Sequence, residues 1–253
     1  MNFKIVTWNL RSIYIGDGIN GFIHRAGLIC HKILKELPDV ISFQEIIEET
    51  FPVMQRMLPE YLFVGHFRGA NYGGEGVFTA IRKDSIEVLG SEVIWLSPTP
   101  YVPGSRFKSQ SICPRICLMT QLRHKKTGKV FRVFNLHLDH ESEDARVAGI
   151  QCVLKFVDEY NNKAEYPLFL MGDFNATPDS NAVRMCSEYR DISDLTGHIE
   201  NTRHDFGTAK IKIDYIFVSD VLKDSVTRTV VWDDVIEGIY LSDHYPICTE
   251  LEI

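Results

Sequence analysis

The segment Met171-Gly172-Asp173-Phe174-Asn175-Ala176-Thr177-Pro178 places polar side chains at the end of an expected strand, and the rest of the chain is organised around it. The apolar run 168–171 is too short for a helix and predicts a buried strand. Gly172 allows the backbone to turn there without a side-chain clash. In an extended segment Asp173 and Asn175 leave on the same face, where a carboxylate can accept a proton and an amide can donate to an anion. Taken alone, these residues fit an Asx turn that closes a strand better than they fit half of a hydrolytic site.

The composition is that of an ordinary globular protein, with 45% hydrophobic and 24% charged residues. A chain of 253 residues can form one large domain or two small ones. If it forms one, that domain buries roughly 70–75% of its unfolded surface. The formal net charge of −7 argues against tight, non-specific binding to long nucleic acid through a basic face. The densest basic run, 123–129, lies between two expected strands, where a solvated hairpin tip is favoured over a nucleic-acid patch.

The six cysteines predict free thiols. No Cys-x-x-Cys pair occurs, and the spacing from Cys113 to Cys117 lacks the second pair that a zinc site needs. We therefore expect buried, reduced thiols in the cytoplasm. The sequence enters a strand pattern directly and has no apolar run near about 18 residues, so neither export nor a membrane span is expected. The cysteines are Cys30, Cys113, Cys117, Cys152, Cys186 and Cys248.

The order of the predicted elements indicates two sheets packed face to face and covered by helices. A strand at 3–9, a helix at 22–37 and a buried strand at 39–43 suggest a parallel crossover. A second long helix at 142–161 precedes a strand at 167–171. No repeat and no polar linker divides the chain, so a single domain is expected over residues 1–253. Further strands are expected at 61–66, 75–82, 85–89, 92–95, 115–122, 130–137, 213–219, 225–232 and 246–252, and short helices at 52–58 and from Asn181 after a Ser180 cap.

Six of the expected strands run into acidic, amide or imidazole side chains. One such ending is ordinary, but six of them, rich in acids and carrying two histidines, indicate a pocket where strand ends converge. Carboxylates in this number suit a hard divalent cation. The six points are Trp8-Asn9, Gln44-Glu45, Asn135-Leu136-His137, Gly172-Asp173-Phe174-Asn175, Asp214-Tyr215 and Ser242-Asp243-His244.

This ordered set resembles the endonuclease/exonuclease/phosphatase superfamily, the deoxyribonuclease-like metal-dependent phosphoesterases. The family pattern is Thr-Trp-Asn, Gln-Glu, Asn-x-His, Gly-Asp-x-Asn, Asp-Tyr and Ser-Asp-His, and the chain carries it in that order from Thr7 to His244. Each short motif is weak, and their order over essentially the whole chain makes the resemblance specific. The closest likeness is to bacterial members of unassigned substrate, which share Trp95-Leu96-Ser97, Pro103-Gly104-Ser105, Arg115 and His137-Leu138-Asp139-His140.

The resemblance implies an α/β fold, a four-layer α/β/β/α sandwich of two mixed sheets flanked by helices, with the site at one end. It implies Mg²⁺ as the cofactor, with Mn²⁺ as the other candidate ion, bound mainly by Glu45 and assisted by Asn9 and Asp243. A metal ion with imidazole and amide donors would neutralise the charge of the phosphate under attack.

The resemblance also assigns the remaining site residues to roles around the phosphate. Asp173 takes the proton from the attacking water or orients that water. His244 supports in-line displacement, and Asp214 holds its ring. His137 and Asn175 are the expected donors to the phosphoryl oxygens. Beside these, the sequence offers Asn135, Arg115 and Arg11 as expected contacts to the substrate, and Arg11 departs from the family pattern.

The implied activity is Mg²⁺-dependent hydrolysis of a phosphoester. A phosphodiesterase or nuclease is favoured over a phosphomonoesterase acting on a small polyphosphorylated substrate. Arg11 stands where apurinic endonucleases carry an aspartate, which disfavours abasic-DNA repair and favours a substrate with an additional anion. The expected partner is a nucleic acid end, a nucleotide or another small phosphoester, and a monomer is expected. Family members act on DNA, RNA, lipids and inositol phosphates, so the motifs do not choose among these classes.

Other interpretations compete with this one. The run 135–140 resembles the zinc motif of metallo-β-lactamase-fold hydrolases, although Asn135 replaces its first histidine. A non-catalytic binding module on the same fold would have lost a key acid or histidine, and all are present. A serine triad at 242–244 lacks a nucleophile elbow. Asp139 and His140 can instead cap the helix near 142, and Arg115 can form a structural ion pair.

Overall fold

The computed structural model describes residues 2–253, and its strands form two six-stranded sheets and a two-stranded ribbon. The expected α/β/β/α sandwich of two mixed sheets with flanking helices is confirmed. In chain order the elements are β1 (Asn2–Asn9), α1 (Phe22–Glu36), β2 (Val40–Ile46), α2 (Phe51–Met57), β3 (Tyr61–Phe67), β4 (Gly76–Arg82), β5 (Ile86–Trp95), β6 (Ile116–His124), β7 (Val130–His137), α3 (Glu143–Asn161), β8 (Leu168–Asp173), α4 (Asn181–Ser187), β9 (Ile192–Asp194), β10 (Asp214–Ser219), α5 (Asp220–Lys223), β11 (Val226–Val231), β12 (Val235–Ile236), β13 (Ile239–Tyr240) and β14 (Ile247–Glu252).

The first sheet has the strand order β11-β14-β1-β2-β4-β3. Its strands β1 and β2 run parallel, as expected from the crossover through α1, and Asn9 pairs with Gln44 at their ends. Helix α1 buries a face that includes Ala26, Ile29 and Ile33, which recur at helical spacing. The helix ends at Glu36, and the capping residue Leu37 takes a left-handed conformation with φ 49°.

The second sheet has the order β5-β6-β7-β8-β10-β9. Strands β7 and β8 run parallel across α3, and His137 pairs with Asp173. Gly172 has φ +144°, and a Cβ atom there would lie 2.0 Å from the carbonyl oxygen of Leu136. Only glycine fits this position, because strand β7 approaches its backbone closely. Gly172 therefore does not turn the chain, and β8 continues through it to Asp173.

Three apolar layers hold the sandwich together. Between the sheets, Phe3 and Ile5 of β1 pack with Phe169 and Met171 of β8. Helices α1 and α2 cover the outer face of the first sheet, and α3 and α4 cover that of the second. Burial of this apolar surface is the main contribution that stabilises the fold.

A polar bridge crosses the apolar layer between the sheets. Gln44 Nε2 donates to Asn135 Oδ1 at 2.8 Å. Asn135 Nδ2 in turn donates to the carbonyl oxygens of Phe43 and Phe78, both at 3.1 Å. These bonds link β7 of the second sheet to β2 and β4 of the first at fixed positions.

Some elements differ from the sequence-based expectation. The strands predicted at 85–89 and 92–95 form one strand, β5, with a register shift between Val88 and Gly90. The predicted loop at 15–21 contains a 3₁₀ helix at Ile15–Asn20. Strand β9 and the β12–β13 hairpin lie in segments without a readable alternation and were not expected.

The cysteines within residues 2–253 form no disulfide bond. All six cysteines are free, although Cys113 and Cys152 are half-buried where buried thiols were expected. No helix in the described part of the chain has the length and hydrophobicity that crossing a membrane requires.

Candidate active site

Strand ends from both sheets meet at one edge of the sandwich. Strands β1 and β2 end there in the first sheet, and the parallel strands β7 and β8 end there in the second. Antiparallel β10 begins there, since Asp214 pairs with Asp173. A cavity of about 230 Å³ opens between these ends. Eight of the predicted site residues line it, namely Arg11, Glu45, Arg115, His137, Asp173, Asn175, Asp243 and His244.

Asp173 is a central residue of this site. Its Oδ2 accepts a hydrogen bond from Asn9 Nδ2 at 2.9 Å and lies 3.5 Å from His137 Nε2 and 4.0 Å from His244 Nε2. Its Oδ1 accepts the backbone N–H of Asn175 at 2.8 Å. The carboxylate therefore closes an Asx turn with one oxygen and faces the histidines with the other. Burial and the nearby charge of Asp214 raise the pKa of Asp173 to about 7.

His244 and Asp214 form a buried pair, as expected. His244 Nδ1 lies 2.8 Å from Asp214 Oδ2, and both side chains are nearly inaccessible. Burial by itself lowers the pKa of His244, but the charge and hydrogen bond of Asp214 outweigh it and raise that pKa to about 10. Because Nδ1 is bonded to Asp214, it is Nε2 of the ring that faces Asp173. Asp214 does not line the cavity, so it acts on the site through His244.

Glu45 reaches the site because the backbone of β2 is irregular there. It has φ +60°, and the pairing of β2 with β4 shifts register between Phe43 and Ile46. Such irregularities re-aim a side chain at the end of a strand. Burial raises the pKa of Glu45, but hydrogen bonds from the Ser12 N–H and from Asn9, with the charges of His244 and Arg11, lower it overall.

Two groups of side chains have the geometry to hold a metal ion. Glu45, His137 and Asp173 offer ligand atoms within 4.8 Å of one another, and so do Asp173, Asp214 and His244. The first group fits a divalent cation, since it combines two carboxylates with one imidazole. Burial, followed by the charge of Arg115, holds the pKa of His137 well below its ordinary value, which keeps its ring neutral.

The two residues expected to assist Glu45 in binding the metal ion, Asn9 and Asp243, both have protein partners in the structure. The Asn9 amide turns its nitrogen to Glu45 Oε1 and Asp173 Oδ2, and its oxygen accepts the Arg11 N–H at 2.9 Å. Asn9 therefore bridges two carboxylates in this arrangement and does not present its oxygen to a cation. Asp243 lines the cavity but forms an ion pair with Arg11 at 3.2 Å and belongs to neither metal-capable group.

Asn135, Arg11 and Asn175 were predicted to contact the substrate, and the structure places each of them in a different setting. Asn135 does not line the cavity, because it lies in the bridge between the sheets with both ends of its amide hydrogen-bonded. Arg11 lines the cavity, but its guanidinium is paired with Asp17 at 2.9 Å and with Asp243, so it is not a free cation. Asn175 has φ +47° and does not continue the strand, so the same-face argument from Asp173 is wrong. Its side chain nevertheless lines the cavity and donates to the Leu138 carbonyl at 3.1 Å.

Arg115 is buried beside His137 and His140. It is 4% exposed, and its Nη2 lies 3.0 Å from His140 Nδ1. No carboxylate among residues 2–253 lies within ion-pair distance of it, so the structural ion-pair interpretation is wrong. Arg68 and Arg203 also line the cavity and were not expected from the sequence. Arg68 follows the last residue of β3 directly, so a search of strand ends that included basic residues would have found it.

Asp139 and His140 separate into two roles. Asp139 Oδ1 accepts the backbone N–H groups of Glu141 and Ser142 at the start of α3, and its other oxygen accepts the Ser111 hydroxyl. His140 contacts Arg115. Neither residue belongs to a metal-capable group in the described chain, which argues against the zinc-motif interpretation.

Comparison with known proteins agrees with this geometry. A model of the Endonuclease/Exonuclease/phosphatase family matches residues 6–244. The structure of an endonuclease/exonuclease/phosphatase from Bacteroides vulgatus superposes with a TM-score of 0.92 and 29% identity over 100% of this chain and 99% of that one. A mannosyl-6-phosphatase from Bacteroides thetaiotaomicron superposes with a TM-score of 0.89 and 27% identity over 99% of this chain and all of that one.

Sequence relatives include longer proteins. Drosophila melanogaster nocturnin is 25% identical over 76% of this chain, which spans only 33% of the nocturnin length. An uncharacterized protein of Acanthamoeba polyphaga mimivirus is 27% identical over 88% of this chain and 90% of that protein.

Proposed function

This chain belongs to the endonuclease/exonuclease/phosphatase family, and from that premise we propose that it hydrolyses small or terminal phosphate esters with the help of Mg²⁺. The observation that carries the proposal is the cavity in which Glu45, His137 and Asp173 lie together with Arg115. A metal-capable group beside a buried cation suits a phosphate that must be bound, neutralised and attacked in one place.

In the proposed site Glu45 would hold the metal ion, with His137 and Asp173 near enough to assist. Mg²⁺, or Mn²⁺ in its place, would supply charge neutralisation for the phosphate under attack. Asn9 holds the carboxylates of Glu45 and Asp173 side by side through its amide nitrogen, at 3.0 and 2.9 Å. Asp243 restrains Arg11 through an ion pair and contributes a negative charge to the lining of the cavity.

The protein groups then divide the work of in-line hydrolysis. Asp173 accepts the proton of the attacking water. His244, held at Nδ1 by Asp214, donates from Nε2 to the phosphoryl group, and Asn175 and His137 complete its binding site. Each donor is fixed before substrate arrives, so little reorganisation is needed in the transition state.

Three observations support a small or terminal substrate. The cavity of about 230 Å³ is below the range of about 300–1,000 Å³ that is typical of sites for drug-sized ligands. The chain carries 34 acidic against 27 basic residues and lacks the charge for a long nucleic-acid track. A mannosyl-6-phosphatase is among its structural neighbours. A nucleic acid end is also terminal, and nocturnin and an RNA exonuclease are among the more distant relatives.

The test is hydrolysis after removal of metal with EDTA, measured on DNA ends, RNA ends, phospholipids, inositol phosphates and sugar phosphates. We expect Mg²⁺ or Mn²⁺ to restore activity on a small or terminal ester. Restoration by Zn²⁺ alone would favour the zinc hydrolase instead. Binding to an Asp173→Asn variant should depend weakly on salt, as for about 1–3 neutralised phosphates, and a slope for six or more on duplex DNA would contradict the proposed substrate size.

We also propose that the chain acts as one catalytic domain in the cytoplasm. The single domain is supported by the group of Glu45, His137 and Asp173, because its side chains come from both sheets. The six free thiols support the cytoplasmic location, because the cytosol keeps thiols reduced.

A further inference from the structure

A small recess adjoins the cavity beside His137, and two guanidinium groups, Arg68 and Arg115, border it together with the carboxylate of Glu75. Three buried nitrogen atoms of these groups have no hydrogen-bond partner within residues 2–253, namely Arg68 Nη1, Arg115 Nε and Arg115 Nη1. Buried N–H donors are rarely left unpaired, because losing their water without a replacement bond is unfavourable. The unpaired donors therefore mark a binding surface for an acceptor.

The charge of this recess is incompletely balanced. Arg68 pairs with Glu75 at 2.8 Å through Nη2 and keeps Nη1 unpaired. Arg115 has only the His140 ring as a side-chain partner among the described residues, and an imidazole does not cancel its charge. Burial, followed by repulsion from Arg68, lowers the pKa of Arg115, as expected for two neighbouring cations. An anion with more than one negative charge would relieve this repulsion.

We propose that Arg68 and Arg115 bind the terminal oxygens of a phosphate monoester, so that the substrates are phosphomonoesters. This inference rests on the proposed function and narrows its substrate class. A diester offers two non-bridging oxygens and one negative charge, which the donors around Asp173 would suffice to bind. A monoester adds a third oxygen and a total charge of about −1.5 to −2 at pH 7. Guanidinium forks suit such oxygens, since they donate two parallel N–H bonds.

The reaction then balances without a further reactant. The water oxygen forms a bond to phosphorus, and the bond from phosphorus to the ester oxygen breaks. Asp173 takes one proton from the water and releases it to solvent, and a proton from solvent converts the leaving oxygen to the alcohol. The products are the alcohol and inorganic phosphate, and the phosphate remains against Arg68 and Arg115 until it is released.

The test compares a monoester with a diester in matched variants. The substrates are p-nitrophenyl phosphate and bis(p-nitrophenyl) phosphate, assayed with Mg²⁺ or Mn²⁺. The variants are Arg115→Met, Arg115→Lys and Arg68→Met, and the control is Arg123→Met, whose side chain is 44% exposed and paired with Glu87. We expect Arg115→Met and Arg68→Met to lower kcat/KM for the monoester about 10- to 100-fold, the loss of charge-assisted bonds. The diester rate should change less than about threefold, the Lys variant should recover part of the loss, and the control should match wild type. Equal losses on both substrates would overturn the inference.

Phosphate binding separates this inference from the proposed function. Inorganic phosphate is titrated by calorimetry into EDTA-treated protein, where no hydrolysis occurs. We expect wild type and Arg123→Met to bind and both recess variants to bind at least about tenfold more weakly. Unchanged binding in both variants would overturn the inference. If phosphate binding depends on Arg68 and Arg115 but no ester is hydrolysed, the proposed function is overturned. The anion site would then still be supported.

Thermal unfolding excludes a merely structural role. Removing an unpaired buried cation should leave the Tm of Arg115→Met in phosphate-free buffer equal to or above that of wild type. Added phosphate should raise the Tm of wild type and not that of the variant. A variant with a lower Tm that still gains stability from phosphate would show that Arg115 serves folding and not binding.

Discussion

Arg25 of helix α1 is a buried cation whose removal should damage both stability and activity. It is 0% exposed and donates to four main-chain carbonyl oxygens. These belong to Asn20 at 2.5 Å, Leu10 at 2.8 Å, Leu241 at 2.9 Å and Arg11 at 3.1 Å. Burial lowers the pKa of its guanidinium to about 10, so the group remains charged at neutral pH.

The size of the effect follows from these four bonds. A typical hydrogen bond contributes about 1 kcal/mol net, and bonds to charged groups contribute about 1.5–3 kcal/mol. Arg25→Met removes all four and leaves carbonyl oxygens unpaired, while part of the cost of burying the charge is recovered. We expect a loss of about 3–5 kcal/mol, comparable to breaking a buried ion pair. Arg25→Lys has three donors on a narrower head and should lose roughly half as much.

Urea unfolding monitored by fluorescence measures this loss, with the m-value as the check that the unfolded state is unchanged. Lys35→Met, an exposed change on the same helix, is the control and should stay within about 0.5 kcal/mol of wild type. The folded Arg25→Lys protein should also lose kcat, because Leu10, Arg11 and Leu241 adjoin the segments that carry Asn9 and Asp243. A loss below about 1 kcal/mol in Arg25→Met would refute the reasoning.

Three further predictions concern the site and its surroundings. Asp173→Asn should lower kcat about 10²–10⁴-fold with an unchanged circular dichroism spectrum, and a variant that keeps most of its activity would remove Asp173 as the base. His244→Ala and Asp214→Ala should each be severely impaired and the double variant little worse than His244→Ala, whereas additive losses would mean that the two act separately. Burial lowers the pKa of His204 from 6.5 to about 4, so its contribution to stability is complete above pH 6.5 and is lost as the pH falls toward 4. His204→Phe should therefore lose less stability than wild type between pH 7 and 4.5 in urea titrations, and equal losses would contradict this assignment.

The strand ends were predictable because their signal is local. Glu45, Asp173 and His244 each follow a short apolar or turn pattern, and convergence of strand ends brings them together. Asn135 gave the same signal and led to a wrong role. It lies on the same face of β7 as His137 but two residues further from the edge, so the opposite sheet covers it. Alternation along a strand determines on which face of the sheet a side chain lies. It does not determine how far from the edge of the sheet that side chain lies.

The side chains that pair with the arginines were not predictable from spacing in the sequence. Arg11 was expected to be a free cation. In the structure it pairs with Asp17 of the 3₁₀ helix and with Asp243 of the segment before β14. A structural ion pair was the alternative interpretation of Arg115, and the fold gives it a histidine partner instead. These outcomes depend on contacts between residues distant in sequence, and no local pattern records them. The aim of Glu45 likewise depends on a positive φ in β2 that its residue type does not suggest.

The division of the site between two sheets has a consequence for refolding. Glu45 extends from the first sheet, whereas His137 and Asp173 extend from the second. A refolding molecule with both sheets formed but not yet docked would have its strands and no assembled ligand group. Chains of this size commonly pass through such intermediates. Far-ultraviolet dichroism would then time the formation of strands, and the return of activity would time their docking, so the lag between the two signals would measure the docking step directly.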